Sequence, residues 1–105
     1  MVKKITTKQL IISVSGEYEP TLTLAELCRA CDKPVEWVIA LVDEGVLDPQ
    51  GDQPVHWRFK TSNLRRALRA QRMQQDLGLN MPGIAVALDL LDEIERLERK
   101  LNNQR

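Results

Sequence analysis

Few residue sets in this chain have the types and spacing to do chemistry. Cys28 and Cys31 form a C-x-x-C pair. That spacing serves dithiol redox chemistry when it opens a helix after a strand, and it supplies two thiolates to a zinc site. Here the pair falls near the end of a helical segment rather than at its start. The chain has only these two cysteines and a single histidine, His56, so one chain cannot assemble four Cys/His zinc ligands. Both cysteines are therefore read as structural, and His56, beside Trp57, as loop packing. No nucleophile–base constellation, glycine-rich phosphate loop or paired inward carboxylates can be placed. The expectation is a non-enzyme with no catalytic residue, metal, cofactor or small-molecule ligand.

The remaining chemistry is electrostatic. Across 105 residues, 15 basic and 15 acidic side chains cancel formally, without the global basic surplus usual for a nucleic-acid binder. The balance hides segregation. Residues 21–57 hold two basic against seven acidic residues, a net of −5, whereas residues 58–75 hold six basic residues and no acid, a net of +6. Glu36, Asp43, Glu44 and Asp48 concentrate the negative charge, while Arg65, Arg69 and Arg72 recur at i, i+4, i+7. Such a dipolar molecule offers its two sides to different partners.

The elements that position these residues follow from capping and periodicity. Residues 8-KQLIISVSG-16 are β-branched and apolar, which predicts a strand. In 23-TLAE-26, Thr23 and Glu26 form a capping box that opens a helix over about 24–31, with Leu24, Leu27 and Cys28 on one face. Pro34 suits the first position of a second helix over about 34–44, and Gly45 suits its left-handed exit. Val35, Val38, Ile39 and Val42 lie at i, i+3, i+4, i+7 and predict the core face of that helix. The turn-rich 48-DPQGDQP-54 and the alternating 55-VHWRF-59 predict a wing loop and a short strand. A third helix is expected over about 62–77, with Leu64, Ala67 and Leu68 inward and Gly78 as its stop. A fourth is expected over about 82–103, with pairs Asp92–Arg96 and Glu95–Arg99 along it and a frayed end at 102–105. No apolar run approaches the ~18 residues of a membrane span, and no signal peptide is visible. A cytoplasmic protein is expected.

The order helix, turn, helix, wing, helix, long terminal helix resembles the MerR-type winged helix. The residues carrying the resemblance are 23-TLAELCRA-30, 44-EGVL-47, 57-WRF-59 and 77-LGL-79. The run 82-PGIAVALDLLDEI-94 looks like the signature of the chaperone-modulator family typified by CbpM. That resemblance covers roughly residues 22–101. It implies a mainly α fold: an N-terminal strand or extension at 1–20, a winged helix-turn-helix at 21–79 with short wing strands, and a dimerisation helix at 80–105. It further implies a modulator that binds the J-domain of a CbpA/DnaJ-type co-chaperone, inhibiting its action with a DnaK-type chaperone and its DNA binding. In MerR-type regulators the middle of helix two offers an arginine and aromatics to DNA. Aligned on 44-EGVL-47, those slots hold Ile39, Ala40 and Leu41, and only Arg58 matches the wing arginine.

These readings lead to specific expectations. Weak or no nucleic-acid binding is expected, because acids stand where phosphates would lie. The expected partner surface is Glu36, Trp37, Leu41, Asp43, Glu44 and Asp48, with Trp37 as the aromatic anchor. Packing of Trp37 and Leu41 under the terminal helix is the competing reading of those two. Helix four opens apolar nearly all round, so its start either packs on the winged-helix core or begins a dimer seam. The homodimer interface is expected at Ile84, Leu88, Leu90, Leu91, Ile94, Leu97 and Leu101. The alternative function is a MerR-family DNA-binding regulator, with Arg58, Arg65, Arg69 and Arg72 on DNA.

Overall fold

The fold is given by a computed structural model, which describes residues 10–12 and 18–104, with side chains from residue 20 onward. In chain order the elements are β1 (Leu10–Ile12), β2 (Tyr18–Leu22), α1 (Leu24–Cys31), α2 (Val35–Asp43), a 3-10 turn at Pro54–His56, β3 (Phe59–Lys60), α3 (Thr61–Leu77) and α4 (Met81–Asn103). Leu10–Ile12 lies in the expected N-terminal strand. Residues 8, 9 and 13–16 of that expectation, and Arg105, lie outside the described residues.

The sheet is antiparallel, in the order β1-β2-β3. Leu10 pairs with Pro20 and Ile12 with Tyr18. Thr21 pairs with Lys60 and Leu22 with Phe59, which ties the wing to the strand before α1. The wing is shorter in strand than expected. Its ladder beyond Phe59 is the single bridge Gln50–Arg58, and residues 54–56 coil as a 3-10 turn. Pro54 at the start of that turn cannot donate to a ladder, and its fixed φ suits a helical turn. Phe59 is fully buried and meets Trp57 edge to face, ring centroids 5.9 Å apart.

The helix signals of the sequence are realised in atoms. Thr23 Oγ1 accepts from the Glu26 N–H at 3.2 Å, and Glu26 Oε1 accepts from the Thr23 N–H at 2.8 Å. Gly45 follows α2 at φ +77°, and Gly78 ends α3 at φ +65°; a left-handed backbone is cheap there only without a Cβ. Asn80 caps α4 through its side chain, accepting from the Gly83 N–H at 2.8 Å. Pro34 is the residue before α2 rather than its first helical residue, a one-residue difference at a boundary.

The core corrects the expected phase of α2. Its buried residues are Trp37, Val38 and Leu41, joined by Leu27, Phe59, Ala67, Ala70, Ile84 and Leu88. Val35 stands 42% exposed, and Ile39 and Val42 are half-buried. Of the expected set, Val38 is fully buried and Val42 packs against the core, whereas Val35 and Ile39 lie outside it, so the inward face is turned toward Trp37 and Leu41. Trp37 carries the largest apolar surface on the helix, and burying it brings Leu41, one turn on, inside with Val38. The indole N–H reaches across to α3 and donates to Gln74 Oε1 at 2.8 Å, while Lys33 lies over the ring at 5.5 Å.

Helix α4 lies on α3 through its first half, with Ile84 and Leu88 fully buried and Leu91 half-buried against the core. The acids of α4 pair mainly across to α3 rather than along their own helix. Arg66 reaches Asp92 at 2.6 Å and Asp89 at 3.9 Å, and Arg69 reaches Glu95 at 3.2 Å. The expected pairs Asp92–Arg96 and Glu95–Arg99 give way to these and to Glu93–Arg96, which holds the Glu93 carboxyl below its ordinary range through a hydrogen bond. Among the described residues no helix is long and apolar enough to cross a membrane.

Candidate functional site

The outer face of α2 is the side a helix-turn-helix ordinarily turns to a partner. Glu36, Asp43 and Glu44 are exposed on it or at its end, and α2 contains no Lys or Arg. Glu36 in the first turn suits the helix dipole. Asp43 and Glu44 lie at the C-terminal end, where the dipole disfavours anions by roughly 0.3–1 kcal/mol each at low ionic strength. The helix gains nothing from them, and residues that break a local rule in this way mark functional surfaces.

Asp48 continues the acidic edge from the exit loop. Its side chain is exposed, but its main chain is fixed by Asn63 at the start of α3. The Asp48 N–H donates to Asn63 Oδ1 at 2.9 Å, and Asn63 Nδ2 donates back to the Asp48 carbonyl at 3.4 Å. Arg66 holds the preceding turn by donating from Nε to the Val46 carbonyl at 2.8 Å. The same guanidinium binds Asp92, so one side chain connects the exit of α2 to α4. A polar cleft of about 690 Å³ opens beside this junction, lined by Asp48, Gln50, Lys60, Arg66 and Asp89 among others. The linking role of Arg66 is absent from the sequence reading, because its partners lie on a different helix.

The expected site residues separate into two groups. Glu36, Asp43, Glu44 and Asp48 are each exposed. Trp37 and Leu41 do not: Trp37 is 8% exposed and Leu41 fully buried, so neither is an anchor for a partner, and that expectation is corrected. The dimer set divides likewise. Ile84 and Leu88 belong to the chain's own core, which corrects their placement at a dimer seam. Leu90, Ile94, Leu97 and Leu101 stand 49% to 61% exposed, and Val86 joins them at 59%. At about 100° per residue these five fall on one stripe of α4, turned well away from Ile84 and Leu88. Of the arginines, Arg65 and Arg72 are exposed, Arg69 is engaged with Glu95, and Arg58 is half-buried in the wing.

The cysteines sit in the core as free thiols. Burial, with a smaller push from Cys28, raises the Cys31 thiol to about 11, and burial followed by Glu36 raises Cys28. Both changes disfavour the thiolate, the form that reacts or binds metal. Among the described residues no three His, Cys, Asp or Glu side chains come together to hold a metal ion.

Comparison with known proteins places this arrangement. A family model described as "MerR HTH family regulatory protein" matches residues 22–105. A protein of Coxiella burnetii named "Chaperone modulatory protein CbpM" is 42% identical over 95 residues, 90% of each chain. Proteins of the same name from Pseudomonas entomophila and Pseudomonas putida are 36% and 34% identical over 76 residues, 72% of this chain and 75% of theirs. The chain thus belongs to the MerR helix-turn-helix family and, within it, to the CbpM chaperone-modulator family.

Proposed function

We propose that this protein modulates a chaperone system by binding the J-domain of a CbpA/DnaJ-type co-chaperone and withholding it from its DnaK-type chaperone. The chaperone-modulating role is supported by the name its relatives carry. The observation that carries the partner is the sign of the outer α2 face: Glu36, Asp43 and Glu44 exposed, without a cation on the helix. A phosphate backbone gains affinity from Lys and Arg, and this surface repels it. A J-domain presents a basic helix, which complementary potential would steer and orient.

Two copies of the chain associate through α4 in this account. An exposed stripe of Val86, Leu90, Ile94, Leu97 and Leu101 supports it, because a contiguous apolar face on a small protein marks an interface. A regulator that reads DNA is the second reading. It is favoured by the family model's description and by the exposed Arg65 and Arg72 on α3.

Titrating the full chain in parallel against a purified J-domain and a DNA duplex separates the two. Micromolar or tighter J-domain binding, an order-of-magnitude figure for a specific interface of ordinary size, supports the proposal. Duplex binding that weakens steeply with salt and is lost on Arg65→Ala, with no J-domain binding, supports the regulator.

A further inference from the structure

Arg65, Arg69 and Arg72 are all exposed on α3. At 3.6 residues per turn they fall within about 60° of one another and span about 10 Å. A groove of about 620 Å³ lies beside them, lined by Leu68 and the three arginines from α3 and by Asp92 and Glu95 from α4. Glu95 holds Arg69 at 3.2 Å, whereas neither Arg65 nor Arg72 has an ion-pair partner among the described residues. Like charges at i, i+4, such as Arg65 and Arg69, disfavour a helix, so local stability does not account for the row. The positive area is also bounded. Exposed Asp76 stands one turn beyond Arg72, and the two α4 carboxylates border the groove. It is a basic island two turns long rather than a continuous basic surface.

We infer that this island docks a short acidic polypeptide segment, an extended run of Asp and Glu with an apolar residue among them. The inference goes beyond the function proposed above, since it concerns charge of the opposite sign on a different helix. Charge complementarity selects the occupant. A guanidinium takes a carboxylate in a two-pronged hydrogen bond. In an extended chain, alternate side chains point the same way about 6.6 Å apart. Two or three carboxylates on one face of the segment therefore match the row within the reach of arginine side chains. An apolar residue between them would rest on the half-buried Leu68 and on the arginine stems. A duplex is the poorer occupant. It carries a charge about every 1.7 Å and gains affinity from each phosphate that is neutralised, yet beyond two turns of α3 it would meet Asp76, Asp92 and Glu95. A short segment ends where the island ends.

The test uses the full chain and fluorescence anisotropy at low and moderate salt. Three labelled probes are titrated separately: a dodecapeptide of glutamates with two leucines, the same peptide with glutamine for glutamate, and a DNA duplex of equal charge. Two variants accompany the unchanged chain. One carries Arg65→Gln and Arg72→Gln; the other, with the same net charge, carries Arg29→Gln and Lys100→Gln at exposed positions elsewhere. The inference predicts that the glutamate peptide binds at roughly tens of micromolar at low salt and the glutamine peptide far more weakly. The Arg65/Arg72 variant should lose about tenfold in affinity for the glutamate peptide, the loss expected for two exposed charge pairs, while the control variant keeps it. Its J-domain affinity should equal that of the unchanged chain. Failure of the glutamate peptide to bind, or equal losses in the two variants, would overturn the inference. Tighter binding of the duplex, lost in the Arg65/Arg72 variant, would assign the row to nucleic acid instead. A parallel loss of J-domain affinity would place the row in the J-domain site and remove the separate partner. Sedimentation of the unchanged chain as a particle larger than a dimer, reverting in the Arg65/Arg72 variant, would assign the row to acids of another copy, again overturning the inference.

Discussion

Replacing Trp37 by Phe tests whether the structure or the sequence periodicity has the correct phase for α2. The indole is 8% exposed, and its N–H donates to Gln74 Oε1 at 2.8 Å. Phenylalanine keeps most of the ring but removes that donor and part of the buried area. A hydrogen bond of this kind contributes about 0.5–1.5 kcal/mol net, and the smaller ring adds a cost of similar size. Gln74 is only half-buried, so its freed carbonyl can accept from water and no stranded polar group inflates the loss. The total is about 1–3 kcal/mol, which lowers Tm by several degrees for a domain of this size. Chemical and thermal unfolding of Trp37→Phe, Gln74→Ala and the double variant measure it at one fixed protein concentration, because association makes Tm concentration-dependent. The double-mutant cycle should return a coupling of about 1 kcal/mol, and J-domain affinity of the folded Trp37→Phe protein should match that of the unchanged chain. Full stability with a large loss of J-domain affinity would refute the reasoning, since it would put Trp37 on the partner surface.

Four further outcomes are expected. Asp43→Asn should raise unfolding stability by a few tenths of a kcal/mol, because an anion leaves the negative end of a helix dipole, while weakening J-domain binding; calorimetry and titration read the two opposite signs. Leu90→Asp or Ile94→Asp should yield monomers by sedimentation at micromolar protein, with the helical circular dichroism of the winged domain kept. Arg66→Met removes the tie from Val46 and Asp92 and should speed amide exchange in α4 beyond residue 88, read by hydrogen exchange. The Cys31 thiol, raised from 9.0 to about 11, stays protonated in the folded chain after the unfolded chain has begun to ionise. Its stabilising contribution is therefore complete below about pH 9 and falls as pH rises from 9 through 11. Unfolding titrations at pH 8, 9.5 and 11 should show a steeper decline for the unchanged chain than for Cys31→Ala.

The parts of the fold legible in the sequence are those set by local chemistry. Thr23 with Glu26, Gly45 and Gly78 each satisfy a helix end by a short-range rule, and all four helices begin and end within about a residue of expectation, as short-range rules allow. What was not legible depended on contacts far apart in the chain. Seven of the nine residues of α2 are apolar, so several inward faces fit its periodicity equally well. Only the partner at Gln74, thirty-seven residues away, and the space available to an indole settle the phase. The same holds for the opening of α4, whose all-round apolarity hides the division between Ile84 and Leu88 inside and Val86 and Leu90 outside. Strand β2 is missed because Pro20 lies within it, and a proline argues against a strand; here it is the last residue paired with β1, just before the pairing with β3 begins at Thr21. The acidic residues of α2 and its exit were legible because charge is read directly from residue type, and Glu36, Asp43, Glu44 and Asp48 are all exposed.

The most direct test of their role is J-domain affinity measured at low and moderate salt for the unchanged chain and for a Glu36→Lys, Asp43→Lys double reversal. The account predicts binding that weakens with salt in the unchanged chain and is lost, by an order of magnitude or more, in the reversed one. Equal affinity of the two proteins at both salt concentrations would contradict it.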